Sequence, residues 1–190
     1  MKNKVVIVSG LSGSGKSNLV EFIAEKFNLK CIHTSGLLKE LIEENSMNLK
    51  SKKNTGWWEG KEAEKAFDKR MKETKFDEIL DKKLLDLIEE GNVVMDSWTM
   101  GYLSKKGFKI WLNASVENRA KRISERNKQD FKEVLNAIKL KEQKTKEIYK
   151  KLYNFDLGEN LEKFDLVIDT EDISEKKVRE IVLKKLKEVL

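Results

Sequence analysis

Residues Gly10-Leu11-Ser12-Gly13-Ser14-Gly15-Lys16-Ser17 carry the spacing G-x-x-x-x-G-K-S. Glycines at 10, 13 and 15 let backbone approach a ligand closely and take positive φ where required. Lys16 brings an ammonium on a long stem, and the Ser17 hydroxyl is a hard oxygen donor for Mg²⁺. Backbone N–H groups of such a loop, together with the helix N-terminus behind it, converge on one spot and favour an anion there. The chemistry is therefore polyphosphate binding; the unreactive alternative is a Gly-rich turn between strand and helix. A second feature is Asp96, the acid that ends Val93-Val94-Met95-Asp96. A carboxylate there can hold the water shell of Mg²⁺ or orient an acceptor, or simply accept hydrogen bonds from loop amides. A third is Arg119, Arg122 and Arg126, spaced i, i+3, i+7, with only Arg70 and Arg179 elsewhere. Such spacing shares one helix face, and the planar guanidinium makes bidentate phosphate contacts that Lys does not. The trio is a candidate phosphate clamp, with a solvated basic face as the alternative.

These residues need elements to position them. Apolar runs predict short strands at about 4–9, 30–33, 93–96, 108–112 and 166–168. Helical periodicity predicts helices at about 16–27, 36–46 (capped by Ser35), 61–90, 116–126, 130–153 and 174–189. Gly91 stands where a helix stop is expected. Strands alternating with helices imply an α/β fold, with a five-stranded parallel sheet flanked by helices. Continuous apolar strands fit a sheet covered on both faces, and ligands of such sheets bind beyond the carboxyl ends of the strands. Gly10, Thr34, Asp96 and Asn113 stand at those ends. The expectation is one P-loop NTPase-type domain over 1–190. Its core is about 1–34, 91–113 and 164–190, with a helical acceptor-binding lobe at about 35–90 and a lid-like insert at about 114–157.

Bulk properties narrow the classes. The chain has 39 basic and 33 acidic residues and a net charge of +6, and its basic side chains are almost all Lys. Intermixed signs read as a solvated surface rather than a nucleic-acid face, and no aromatic-rich basic stripe is present. No run approaches the eighteen apolar residues of a membrane span. The first strand begins within four residues, leaving no room for a signal peptide, so a cytoplasmic location and a monomer are expected. Cys31 is the single cysteine and His33 the single histidine. An internal disulfide is excluded, and a zinc site is not expected. Cys31 is expected to be a buried, inert thiol, and His33 a satisfied structural histidine rather than a proton acceptor.

Taken together, the chain resembles the nucleoside monophosphate kinases, and within them the archaeal cytidylate kinases. The resemblance rests on Gly10–Ser17, Thr34–Leu41, Gly91–Gly101, Lys109–Ser115, Glu117–Arg126 and Phe164–Thr170. It implies a kinase moving the γ-phosphoryl of ATP to a nucleoside monophosphate, with CMP or dCMP as the expected acceptor, and with Mg²⁺. It assigns Gly10, Leu11, Ser12, Gly13, Ser14, Gly15, Lys16, Ser17, Arg119 and Arg122 to nucleotide binding. Lys16, Asp96, Arg122 and Arg126 would be catalytic, Ser17 and Asp96 would hold the metal, and Ser35, Lys39, Trp98 and Thr99 would face the acceptor. The chain departs from the family on that acceptor side. Trp98 and Lys39 stand where an Arg is usual, Thr99 where an acid is frequent, and Lys141 and Ile148 where the lid helix tends to carry Arg. Trp98, Trp57 or Trp58 would suit stacking on a flat acceptor, while loop packing is the alternative for the Trp57–Trp58 pair. Two other functions stay open on those departures. One is a P-loop kinase for a different small acceptor; the other is a nucleotide-binding assembly or regulatory protein with weak ATPase activity.

Overall fold

The computed structural model describes residues 3–44 and 75–190. Its sheet has five parallel strands in the order β2-β3-β1-β4-β5. These are β1 (Val5–Gly10), β2 (Lys30–His33), β3 (Val93–Asp96), β4 (Phe108–Asn113) and β5 (Leu166–Asp169). The helices are α1 (Lys16–Phe27), α2 (Thr34–Glu44), α3 (Lys75–Glu90), α4 (Met100–Leu103), α5 (Val116–Asn127), α6 (Phe131–Tyr153) and α7 (Glu175–Val189). The expected fold class is thus the observed one. The Trp57–Trp58 pair and Arg70 lie outside the described residues, as does the part of the expected 61–90 helix before Lys75.

The strand sequences explain the layers. All six residues of β1 are buried, because successive side chains point to opposite faces and both faces are covered. Val5 and Ile7 pack with Met95, Leu38 and the α3 residues Leu80, Leu84 and Ile88. Val6 and Val8 pack with Ile110, Leu112, the α1 residues Leu19, Val20 and Ile23, and Val178, Val182 and Leu186 of α7. Each fully buried aliphatic side chain of this kind contributes about 1.5–3 kcal/mol. A third cluster joins Trp111, Phe164, Phe155 and Leu157 to Ile148 and Tyr149 of α6. Tyr102 stacks on Phe155 at 4.5 Å between ring centroids. The C-terminal half of α6 is therefore seated in this core, while its N-terminal half pairs with α5 through Ala120, Ile123, Val134 and Ile138.

Three expectations change on inspection. Helix α2 begins at Thr34, so Ser35 is inside its first turn and is not the cap. The reason is tertiary: the Thr34 N–H donates to Asp96 Oδ1 at 2.9 Å, and the Thr34 hydroxyl donates to the Asp96 carbonyl. A neighbouring strand thus supplies the acceptor that a capping side chain would have offered. Cys31 is only half-buried. Residues 100–103, between β3 and β4, form a one-turn helix, too short for periodicity to announce.

Candidate active site

At the carboxyl end of the sheet, β1 delivers Gly10 into the loop, and α1 starts at Lys16 directly behind Gly15. Gly15 takes φ of 95°, and Gly13 packs so closely under α5 that a Cβ there would lie 2.6 Å from the Arg119 carbonyl oxygen. A glycine is thus required at 13 both by conformation and by contact. The Lys16 ammonium curls over the loop and donates to the Leu11 carbonyl at 2.9 Å. Burial lowers its pKa to about 8, a shift that the nearby Asp96 carboxylate partly opposes and that the Lys141 and Arg119 cations reinforce.

Ser17 Oγ donates to Asp96 Oδ2 at 3.1 Å. The same carboxylate, which is buried, accepts from the Thr34 N–H and from His33 Nδ1 at 3.1 Å. Burial alone would raise the Asp96 pKa. The hydrogen bond from His33, the charge of Lys16 and the Thr34 amide outweigh it and hold the carboxyl below its usual range. His33 also has Glu21 Oε1 at 3.4 Å from Nε2. Its pKa is raised, first by the hydrogen bond to Asp96. The histidine is therefore more than a satisfied core residue: it braces the acid at the centre of the site. Sequence reading missed this because His33 and Asp96 become neighbours only through the β2–β3 register.

Trp98 lies beside the loop, its ring centroid 6.0 Å from Lys16 Nζ and 5.4 Å from Lys141 Nζ. Lys39 follows on α2, half-buried, and Ser35 is exposed on the first turn of that helix. Thr99, expected to face the acceptor, is instead buried. Its hydroxyl donates to Asp81 Oδ1 of α3 at 2.7 Å, because a buried hydroxyl must find an acceptor in the core.

A match to the model of the cytidylate kinase-like family spans residues 5–172. The chain belongs to the cytidylate kinase-like family. A cytidylate kinase of Methanocaldococcus jannaschii is 32% identical over 87% of this chain and 88% of its own length. One from Pyrococcus horikoshii is 31% identical over 95% of this chain and 88% of its own. Among solved structures, a shikimate kinase from Bacteroides thetaiotaomicron superposes with a TM-score of 0.58 at 17% identity, over 98% of this chain and 97% of that one. That likeness shows the shared fold. Family membership makes the protein an ATP-dependent nucleoside monophosphate kinase. No helix among its described residues is long and apolar enough to cross a membrane.

The three arginines of the kinase do not converge as their spacing predicts. Arg119 is buried and pairs with Glu142 of α6. Arg122 donates through Nη1 to the Thr170 hydroxyl at 3.1 Å and through Nη2 to the Thr170 carbonyl, beyond the end of β5. Arg126 is exposed, with Nε donating to Asn127 Oδ1. The face they share passes from the underside of the loop to solvent as α5 leaves the sheet, so each turn meets a different environment. Glu142 was not legible as a site residue, for its partner stands 23 positions earlier.

The donor set fits the groups that the family uses. Ser14 Oγ is buried in the loop with no hydrogen-bond partner among the described residues, as suits a group that meets a phosphate oxygen. One carboxylate beside one hydroxyl, Asp96 and Ser17, is the sparse hard-oxygen set that Mg²⁺ accepts when phosphates complete its shell.

Proposed function

We propose that this kinase transfers the γ-phosphoryl group of ATP to CMP or dCMP, with Mg²⁺ as its metal. The observation that carries the reading is the convergence of Lys16, Ser17 and Asp96 at one end of the sheet, with the Ser17–Asp96 hydrogen bond at 3.1 Å. Relatives named cytidylate kinase, at 31–32% identity, support CMP or dCMP as the acceptor. In this reading the loop amides and Lys16 cradle the β- and γ-phosphates, positioning them and offsetting charge as it moves toward the bridging oxygen. Ser17 and Asp96 would hold Mg²⁺, which supplies charge neutralisation at the phosphate oxygens. Arg122 and Arg126 would turn from Thr170 and Asn127 toward the transferring group, and Ser35, Lys39 and Trp98 would line the acceptor side. Phosphoryl transfer asks mainly for placement and for exclusion of water, so no residue needs to form a covalent bond.

A second reading, phosphorylation of a different flat acceptor, is favoured by one observation: Thr99 turns its hydroxyl to Asp81. ADP formation measured with ATP, Mg²⁺ and each common monophosphate in parallel separates the two. CMP or dCMP should give a kcat/KM at least tenfold above UMP, AMP and GMP. Equal or absent turnover across the panel would remove the CMP assignment.

A further inference from the structure

Arg119 and Glu142 are both buried, at 3% and 8% exposure. The guanidinium meets the carboxylate with two donors, Nη1 to Oε1 and Nη2 to Oε2, the latter at 3.2 Å. Nη1 also donates to the Ser12 carbonyl at 2.9 Å, and Nε donates to the Ala114 carbonyl at 3.1 Å. One side chain thus ties together the phosphate loop, the β4–α5 turn and α6. A buried ion pair is poor evidence for stability, since well-packed apolar residues commonly serve as well or better. Its geometry here points to another role. In a planar trans peptide the carbonyl and the following N–H point in opposite directions. Holding the Ser12 carbonyl toward Arg119 therefore aims the Gly13 N–H away from α5, toward the side of the loop that the helix leaves open. A cation on the carbonyl also polarises that peptide and strengthens its N–H as a donor. The Arg119 backbone closes the arrangement from behind, against Gly13.

We propose that Arg119 and Glu142 form a positioning pair for the phosphate loop, presenting the Ser12–Gly13 peptide to the bound polyphosphate without Arg119 itself touching phosphate. The proposal rests on the nucleotide-binding reading of the loop. It departs from the direct contact that the family resemblance assigns to Arg119.

The test is the double variant Arg119→Met/Glu142→Leu, which removes both charges together and strands neither. The expected result is a folded enzyme whose ADP dissociation constant and KM for ATP each rise at least tenfold, with kcat within threefold of the unaltered protein. ADP affinity unchanged would overturn the proposal. So would a hundredfold loss of kcat at unchanged ADP affinity, which would make Arg119 a phosphate contact. The unaltered protein supplies a measurement that needs no variant: the Arg119 Nε–H resonance during titration with ADP and then a non-hydrolysable ATP analogue. It should stay slow to exchange and move less than the Gly13 amide; a larger shift overturns the proposal. Failure of the unaltered protein to bind ADP would be a different result, removing the nucleotide reading beneath it as well.

Discussion

The two halves of the site are built in different ways. The donor half is contiguous: residues 10–17 join a fully buried strand to a helix, so the motif and its support arrive together. The proposed acceptor half is assembled at a distance. Trp98 and Thr99 follow β3, Lys39 lies on α2, and Asp81 reaches Thr99 from α3. Tyr149 of α6 adds a hydrogen bond to Asp77, one turn before Asp81 on α3. A contiguous site keeps its geometry as long as one strand–helix joint is sound. An assembled site depends on several elements agreeing, with β3, α2, α3 and α6 all contributing.

The largest effect should come from breaking the donor half. Lys16→Ala removes the one ammonium within the loop, and kcat/KM for ATP should fall about a thousandfold, the upper range for loss of one preorganised charge donor. The thermal midpoint should hold or rise, because burial disfavours the charged lysine in the free protein. A fall of several degrees, measured by calorimetry, would show that Lys16 also supports the fold. Asp96→Asn comes next. Activity should fall about a hundredfold and demand more Mg²⁺. Stability should drop by about 1–3 kcal/mol as the ties to His33 and Thr34 weaken. Denaturant unfolding beside a Mg²⁺ titration checks both.

The same contrast explains what could be read in advance. The five strands and the start of α1 were legible because their signals are local: apolar runs, glycine spacing, and Gly91 with its positive φ at the end of α3. The pairing of His33 with Asp96 was not, since it exists only once β2 lies beside β3. The spacing of Arg119, Arg122 and Arg126 gave their shared face correctly in outline. It carried no information on what lies opposite each turn, and so neither Glu142 nor Thr170 could be foreseen. Ser35 misled for a related reason: residue type predicted a cap, but a carboxylate from another strand had already taken that role.

The acceptor half should respond more weakly and more selectively. Trp98→Ala should raise KM for the acceptor about tenfold and leave KM for ATP within about threefold, the scale of one lost stacking contact. Trp98→Arg sharpens the comparison: a lower KM for CMP would mark the family acceptor, whereas a loss with CMP would favour a different one. Thr99→Val removes the hydroxyl that serves Asp81 and should destabilise by about 1–3 kcal/mol. A smaller change in acceptor KM than Trp98→Ala produces would follow from Thr99 being buried.

The smallest effect separates the halves by pH. In the free protein Lys16 has its pKa lowered to about 8. Polyphosphate favours the charged form and must raise that pKa on binding. Well below pH 8 the lysine is charged in both states and ADP affinity is flat on this account. Above pH 8 the free protein loses the proton while the complex keeps it, so binding takes up as much as one proton and affinity falls. Calorimetric titration of ADP in buffers of different ionisation enthalpy should show little Lys16-linked uptake at pH 7 and clear uptake near pH 9. In the proposed reading Lys16 meets the donor phosphates and is already engaged at saturating ATP, so acceptor binding should show far less Lys16-linked uptake over the same interval. Equal uptake for both ligands would mean that Lys16 belongs to the two halves alike.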